Sequence, residues 1–277
     1  MSCFFKLNFL KLNIVLLLLA LSWSNLALSS SEKPLRIAVS SNFTPVLKKL
    51  LVDFHQQTKI NTQIISGATG AMFIQIKHGA PFDIFIAADN IRPTQLEKLS
   101  LILANSRQTY AQGQLALLSM SSKAKLSDLK RYSQQLPQRS PQEIPQRLAI
   151  ANPDTAPYGK AAKETLEHLG LWKQYKHNLI MGININQTFA QVRSQAVNSG
   201  LVANSQLVLN NLTGIIIPAN YHQPIEQQLV IIKNSININK AKQLSNYLLS
   251  PIIQQKIVDF GYASFGERKQ REKHDEP

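Results

Sequence analysis

The sequence has 277 residues, 44% of them hydrophobic, with 30 Lys and Arg against 16 Asp and Glu for a formal net charge of +14. That length exceeds one typical domain and suits two of moderate size, and the apolar content excludes a globally disordered chain. The single cysteine, Cys3, lies before the first apolar run, which excludes a disulfide framework and thiol chemistry from the body of the chain.

The elements follow in chain order. Lys6 and Lys11 precede the apolar run 14–21, and the small residues Ala27, Ser29 and Ser30 come after it. Positive end, short apolar stretch and small-residue site are the order of a secretory signal, so residues 1–29 read as a signal peptide cleaved after Ser29. The run is too short to span a bilayer, and the body of the chain is expected outside the cytoplasm. Residues 36–39 read as a buried strand ending at Ser40-Ser41-Asn42. A helix follows with Thr44 as cap and Pro45 as first residue, its apolar face formed by Val46, Leu47, Leu50, Leu51 and Phe54. Next come a strand at 62–65, a turn at 66–70, a helix at 71–77, a strand at 82–87 and a helix at 93–99. A second series has strands at 115–118 and 148–151 separated by a polar, proline-containing loop at 131–146. It continues with a helix at 157–169, a strand at 179–181, a helix at 187–198 and strands at 200–203, 215–217 and 226–232. Helices at 240–249 and 251–260 close the chain, and Gly261 stops the last one. Repeated β-loop-α units predict an α/β protein with largely parallel sheets. The basic residues are scattered, and the run 267–276 mixes both signs, so it reads as a solvated tail and no nucleic-acid partner is expected.

Enzyme signatures are missing: no G-x-S-x-G, no P-loop, no H-E-x-x-H. The histidines His55, His78, His168, His177, His222 and His274 include no i, i+4 pair, so no metal site, no cofactor and no catalytic set are expected. What recurs is a strand running into a hydroxyl- or amide-rich turn that opens a helix, at 40–42, 66–70, 152–159 and 183–187. In open α/β sheets ligands lie beyond the carboxyl ends of the strands. Free N–H groups and a partial positive charge at helix N-termini there suit an anion. Ordinary helix capping explains any one such turn alone; together they predict an anion cleft. Asp83 and Asp89 sit at or near a strand end, where they either shape the cleft or, for Asp89, cap the next helix.

At these residues the sequence resembles the periplasmic molybdate-binding proteins of ABC importers, from about Leu35 to Tyr262. The resemblance is carried by Ala38-Val39-Ser40-Ser41-Asn42-Phe43, by Ser66-Gly67-Ala68-Thr69-Gly70 and by the stretch from Gly79-Ala80-Pro81 through Ala88-Asp89. Thr109 to Gly113, Asn152 to Gly159 and Pro218 to Ile225 carry it further. It implies a two-lobed type II periplasmic-binding fold with a central cleft, crossed by the chain near 110–114 and 218–221. One lobe is then residues 34–111 plus a return segment 220–266, the other is 112–219, and 267–277 is a charged tail. It also implies an oxyanion site built from Ser41 and Asn42, the hydroxyl of Thr69 (often serine in relatives), and backbone N–H groups at Tyr158 and Ile185. Some relatives add a tyrosine hydroxyl where this chain has Ala203. The implied ligand is molybdate or tungstate, the implied partner an inner-membrane ABC permease, and the implied state a monomer in the periplasm. The alternatives on the same fold are a sulfate or phosphate receptor and a non-transport sensor.

Overall fold

In the computed structural model the described residues are 33–119, 125–130 and 147–264. The signal peptide at 1–29, the loop at 131–146 and the tail at 267–277 lie outside them. Apolar runs covered on both faces become central strands. β1 (Leu35–Ser40) is one, with Leu35, Ile37, Ala38 and Val39 fully buried. It pairs in parallel with β2 (Thr62–Gly67) and β3 (Ile84–Ile86). Between them α1 (Thr44–Thr58) lays Val46, Leu47, Leu50, Leu51 and Phe54 on the sheet, and ends at Lys59, whose φ is 59°. α2 (Thr69–Lys77) and α3 (Ile91–Lys98) follow β2 and β3.

Then β4 (Gln108–Gly113) leads within one residue into β5 (Leu115–Ser119), the first strand of a second sheet. That sheet adds β6 (Leu148–Ala151), β7 (Ile180–Gly182), β8 (Ser199–Ala203) and β9 (Ile215–Ile216). Its helices are α4 (Pro157–His168), α5 (Trp172–Tyr175), α6 (Ile185–Arg193) and α7 (Asn204–Leu209). After a 3-10 turn at Ala219–Tyr221 the chain returns as β10 (Ile225–Ile231) to the first sheet, and α8 (Ile238–Leu249) and α9 (Pro251–Asp259) pack there.

The strand orders are β2-β1-β3-β10-β4 and β7-β6-β8-β5-β9, five strands in each sheet. Both are mixed rather than largely parallel. β10 runs antiparallel to both of its neighbours, and β5 antiparallel to β8 and β9. The departure has a physical cause: a chain that leaves one lobe and comes back presents its returning strand in the opposite sense. β4 and β10, the outgoing and returning strands, pair with Ile225 opposite Gly113 and Gln227 opposite Ala111, and the register shifts between Gln227 and Gln228. This bulged ribbon joins the two lobes.

Several boundaries differ from the sequence reading. α2 and α6 each begin two residues earlier than periodicity suggests, at Thr69 and Ile185. α6 also stops at Arg193, because Gln195 takes φ 59°. Thr44 is itself helical; its hydroxyl bonds the Ser40 carbonyl at 3.3 Å and the Ser66 hydroxyl at 2.7 Å, tying the ends of β1 and β2 together instead of capping.

Candidate functional site

The turns after β1 and β2 in one lobe and the helix starts after β6 and β7 in the other face one another. Ser41, Asn42, Thr69, Tyr158 and Ile185, the five positions singled out in the sequence, line one pocket with Gly67, Ala68, Ala88, Ala156 and Pro157. The space between them is narrow, about 190 Å³ when the solvent-open part is included. No side chain in the lining carries a charge.

The hydrogen bonds show which donors are already committed. The Ser41 N–H goes to Gly67 O at 2.9 Å, whereas the N–H groups of Asn42, Tyr158 and Ile185 meet no acceptor among the described residues. The Thr69 hydroxyl accepts from the Ala88 N–H at 3.2 Å, which leaves its own proton to point elsewhere. The Asn42 side chain is not available: its Oδ1 accepts from the Ser40 hydroxyl at 2.8 Å, and its Nδ2 donates to Gln227 at 3.0 Å and Tyr262 at 3.1 Å. From Asn42, then, it is the backbone that faces the pocket.

Helix starts explain the pocket's polarity. α2 and α4 open at Ala68 and Ala156, residues that have no side-chain cap to offer, and the starts of α1, α2, α4 and α6 contain no acidic residue in the first turn. Uncapped, unneutralised N-termini keep their partial positive charge for a ligand. α6 differs: Asn184 caps it, accepting from Asn186 N at 3.0 Å and Gln187 N at 3.1 Å, so only the Ile185 N–H is left over. Behind it, Gln206 accepts from Ala203 N at 3.1 Å and donates to Ile185 O at 3.2 Å and Asn186 Oδ1 at 2.8 Å. Beside Ala203, the buried Gln206 thus braces the first turn of α6.

Among the direct bonds between the lobes, those of Gly70 and Arg92 lie beside the pocket. Gly70 N–H donates to Thr155 O at 2.9 Å, and Arg92 Nη2 donates to Asp154 O at 2.9 Å. Glycine suits the first, because a Cβ at 70 would stand 3.1 Å from the Thr155 backbone and the two lobes would have to give by a few tenths of an ångström. Asp89 holds the arginine, at 2.5 Å to Nη1, and caps α3 by accepting from Arg92 N at 2.9 Å. Asp83 is buried elsewhere, receiving Arg36 N at 2.6 Å, Ser235 Oγ at 2.6 Å and Asn237 Nδ2 at 3.1 Å, and clamps the start of β3 to the turn after β10. Neither carboxylate lines the pocket.

Under the pocket lie three buried phenols, Tyr110, Tyr158 and Tyr262. Burial raises the pKa of each above the ordinary tyrosine value, and neighbouring phenols raise those of Tyr110 and Tyr158 further. For Tyr262 burial is likewise the leading cause. All three therefore stay neutral, and none contributes negative charge beneath the pocket. The sequence reading missed this layer. Its signal was the pair Gln227-Gln228, which with Glu226 interrupts the apolar residues of β10, where a buried polar group needs partners.

No group of three or more His, Cys, Asp or Glu among the described residues is arranged to hold a metal ion.

Comparison with known proteins places the fold and the family. The family described as bacterial extracellular solute-binding protein matches residues 35–263. The molybdate-binding protein ModA of Azotobacter vinelandii is 34% identical over 250 residues, 89% of this chain and 96% of the relative. ModA of Rhodobacter capsulatus is 29% identical over 86% of this chain and 92% of its own length. The solved structure of the Azotobacter vinelandii periplasmic molybdate-binding protein superposes with a TM-score of 0.75 at 31% identity, covering 83% of this chain and 99% of that one. With a family match running from the start of β1 to beyond α9, the chain belongs to the bacterial extracellular solute-binding proteins.

Proposed function

We propose that the chain is the extracytoplasmic receptor of an ABC importer and that it captures molybdate, with tungstate as an equivalent ligand, between its lobes. One observation carries this reading: uncommitted donors and uncapped helix starts from both lobes converge on a pocket whose lining bears no charge. The likeness to ModA proteins supports the choice of ligand. In this reading Ser41 and Thr69 donate through their hydroxyls, and Asn42, Tyr158 and Ile185 through their N–H groups. The first lobe is residues 34–111 with 220–266, and the second is 112–219. The signal at 1–29 directs the chain to the periplasm, where it works as a monomer without a catalytic step and presents its closed form to the permease.

Neutral donors suffice. A hydrogen bond to a charged group contributes roughly 1.5–3 kcal/mol net, and a micromolar dissociation constant requires about 8 kcal/mol. At the middle of that range, five such bonds leave a surplus against desolvation and lobe closure. Selectivity follows from the same inventory. Sulfate is smaller than molybdate and reaches fewer donors at once. Monohydrogen phosphate brings a proton that needs an acceptor, which in a site made mainly of N–H donors only the hydroxyl oxygens of Ser41 and Thr69 could supply, and the Thr69 oxygen already accepts once, from Ala88 N–H.

Titration calorimetry with molybdate, tungstate, sulfate and phosphate tests the reading. One-to-one heat with the first two alone is expected; silence with all four would overturn it. Thr69→Val keeps the shape and removes the hydroxyl, so affinity should fall about 10- to 150-fold, the equivalent of roughly 1.5–3 kcal/mol. Arg92→Ala removes the bridge to Asp154 without touching the pocket lining. It should accelerate ligand release by about tenfold with little change in the association rate, as measured by competition with a second oxyanion, because bonds made after encounter act on dissociation.

A further inference from the structure

The connection between the lobes contains one fully buried amide, Gln227, at the register shift in β10. Its contacts come from three directions. Its Oε1 accepts from Asn42 Nδ2 at 3.0 Å, in the turn that lines the pocket from the first lobe, and from the Tyr110 hydroxyl at 2.9 Å, on the outgoing strand β4. Its Nε2 donates to the Tyr158 hydroxyl at 3.2 Å, on α4 of the second lobe. Tyr158 offers its N–H to the pocket and its phenol to Gln227, so one residue is held at both ends of its side.

We propose that Gln227 is a positioning residue for oxyanion capture: it fixes the pocket turn of one lobe and the first turn of α4 in the other to a single buried amide in the hinge. The inference rests on the oxyanion reading above.

Gly113 supplies independent support. It lies opposite Ile225 in the same ribbon, and its φ is not in the left-handed region, so backbone freedom is not the reason for glycine there. A Cβ at 113 would instead collide with the Tyr158 hydroxyl and would stand 2.8 Å from Gln227 Nε2. The bond between amide and phenol passes over this bare Cα, so the ribbon leaves space for the bond at that point. The amide also suits the chemistry. It both donates and accepts, whereas a carboxylate only accepts and places a negative charge below an anion site.

Gln227→Glu turns this into a measurement. The titratable groups facing position 227 are the phenols of Tyr110, Tyr158 and Tyr262, all held neutral by burial, and the carboxylate whose field reaches this cluster is Asp89, acting on Tyr110. Burial raises the pKa of the introduced carboxyl above its ordinary value of about 4.3. The protonated form can donate to Tyr158 and accept from Asn42 and Tyr110; the ionised form cannot donate. The geometry is therefore retained below the raised pKa and lost as pH rises through it.

Calorimetry with molybdate at about pH 8 should show Gln227→Glu binding roughly 10- to 100-fold more weakly than the unsubstituted chain. Most of that loss should be recovered near pH 5.5, while the unsubstituted chain changes little. A merely structural defect would give a loss that pH does not rescue, and that result, or equal affinity at both pH values, overturns the proposal. If Gln227→Glu does not fold, Gly113→Ala decides, because it alters no hydrogen-bonding group: weakened binding supports the proposal and unchanged binding overturns it. An unsubstituted chain that binds no oxyanion overturns the functional reading, and this inference with it. Tight binding by the unsubstituted chain and by both variants overturns the inference alone.

Discussion

Ala68→Asp is expected to abolish molybdate capture while leaving the fold at least as stable. Ala68 is the N-cap of α2 and adopts an extended conformation, with φ −67° and ψ 141°, which suits a capping side chain. The N–H of Ala71 has no acceptor among the described residues and would receive the new carboxylate. Such a cap is worth about 1 kcal/mol over alanine. The same carboxylate would stand in the pocket lining. At about 5 Å from a dianion, with an effective dielectric of about 20, the repulsion is on the order of 6 kcal/mol, roughly four decades of affinity. Calorimetry and a thermal melt together check the opposite signs. Retained binding would mean that the anion does not sit at the start of α2. Ala68→Ser is the control, since it caps without charge and should bind within a few-fold of the unsubstituted chain.

Phe43→Ala should produce the largest loss of stability near the site. Phe43 is fully buried directly after the pocket turn, and its ring packs edge-on against Tyr110 at 4.7 Å and Tyr262 at 5.7 Å. Removing a buried phenylalanine costs about 3–5 kcal/mol, which in a protein of this size lowers Tm by roughly 6–20 °C. Scanning calorimetry is the measurement, with Phe43→Leu expected to cost under about 1.5 kcal/mol. Affinity should fall with stability in the alanine variant, because the two tyrosines that lose their packing partner also hold Gln227 and Asn42. A shift of Tm below about 2 °C would contradict the packing account.

The fold and the pocket were legible to different depths. Buried strands such as 148–151 are apolar on both faces and announce themselves, and the turns at 40–42 and 66–70 stand out because hydroxyls and glycines interrupt apolar runs there. The pocket positions followed from those turns and from family resemblance, and the structure brings all five to one place. Direction of pairing was not legible, since the apolar run 229–231 of β10 reads like the apolar run of β3, although the two strands are antiparallel. Nor was the division of labour within Asn42. Its sequence context marks it as a donor, but only the fold decides that Gln227 and Tyr262 take both amide protons and leave the peptide N–H to the pocket. Short elements such as α5 and α7, of 4 and 6 residues, carry too few turns for a periodic signal.

The placement of β10 between β3 and β4 has a consequence for how the chain is made. During vectorial synthesis from the ribosome the first lobe cannot complete its sheet, because the strand that separates β3 from β4 is translated more than a hundred residues after β4. Leu229, Ile231, Leu244 and Leu248, all part of the core under β1, arrive in the same late segment. Contacts so distant in sequence form slowly. The first lobe of a nascent chain therefore closes only when its last fifth emerges, whereas the second sheet, contiguous from β5 to β9, has all its strands before then. The topology that divides the first lobe thus also delays its folding until the end of the chain.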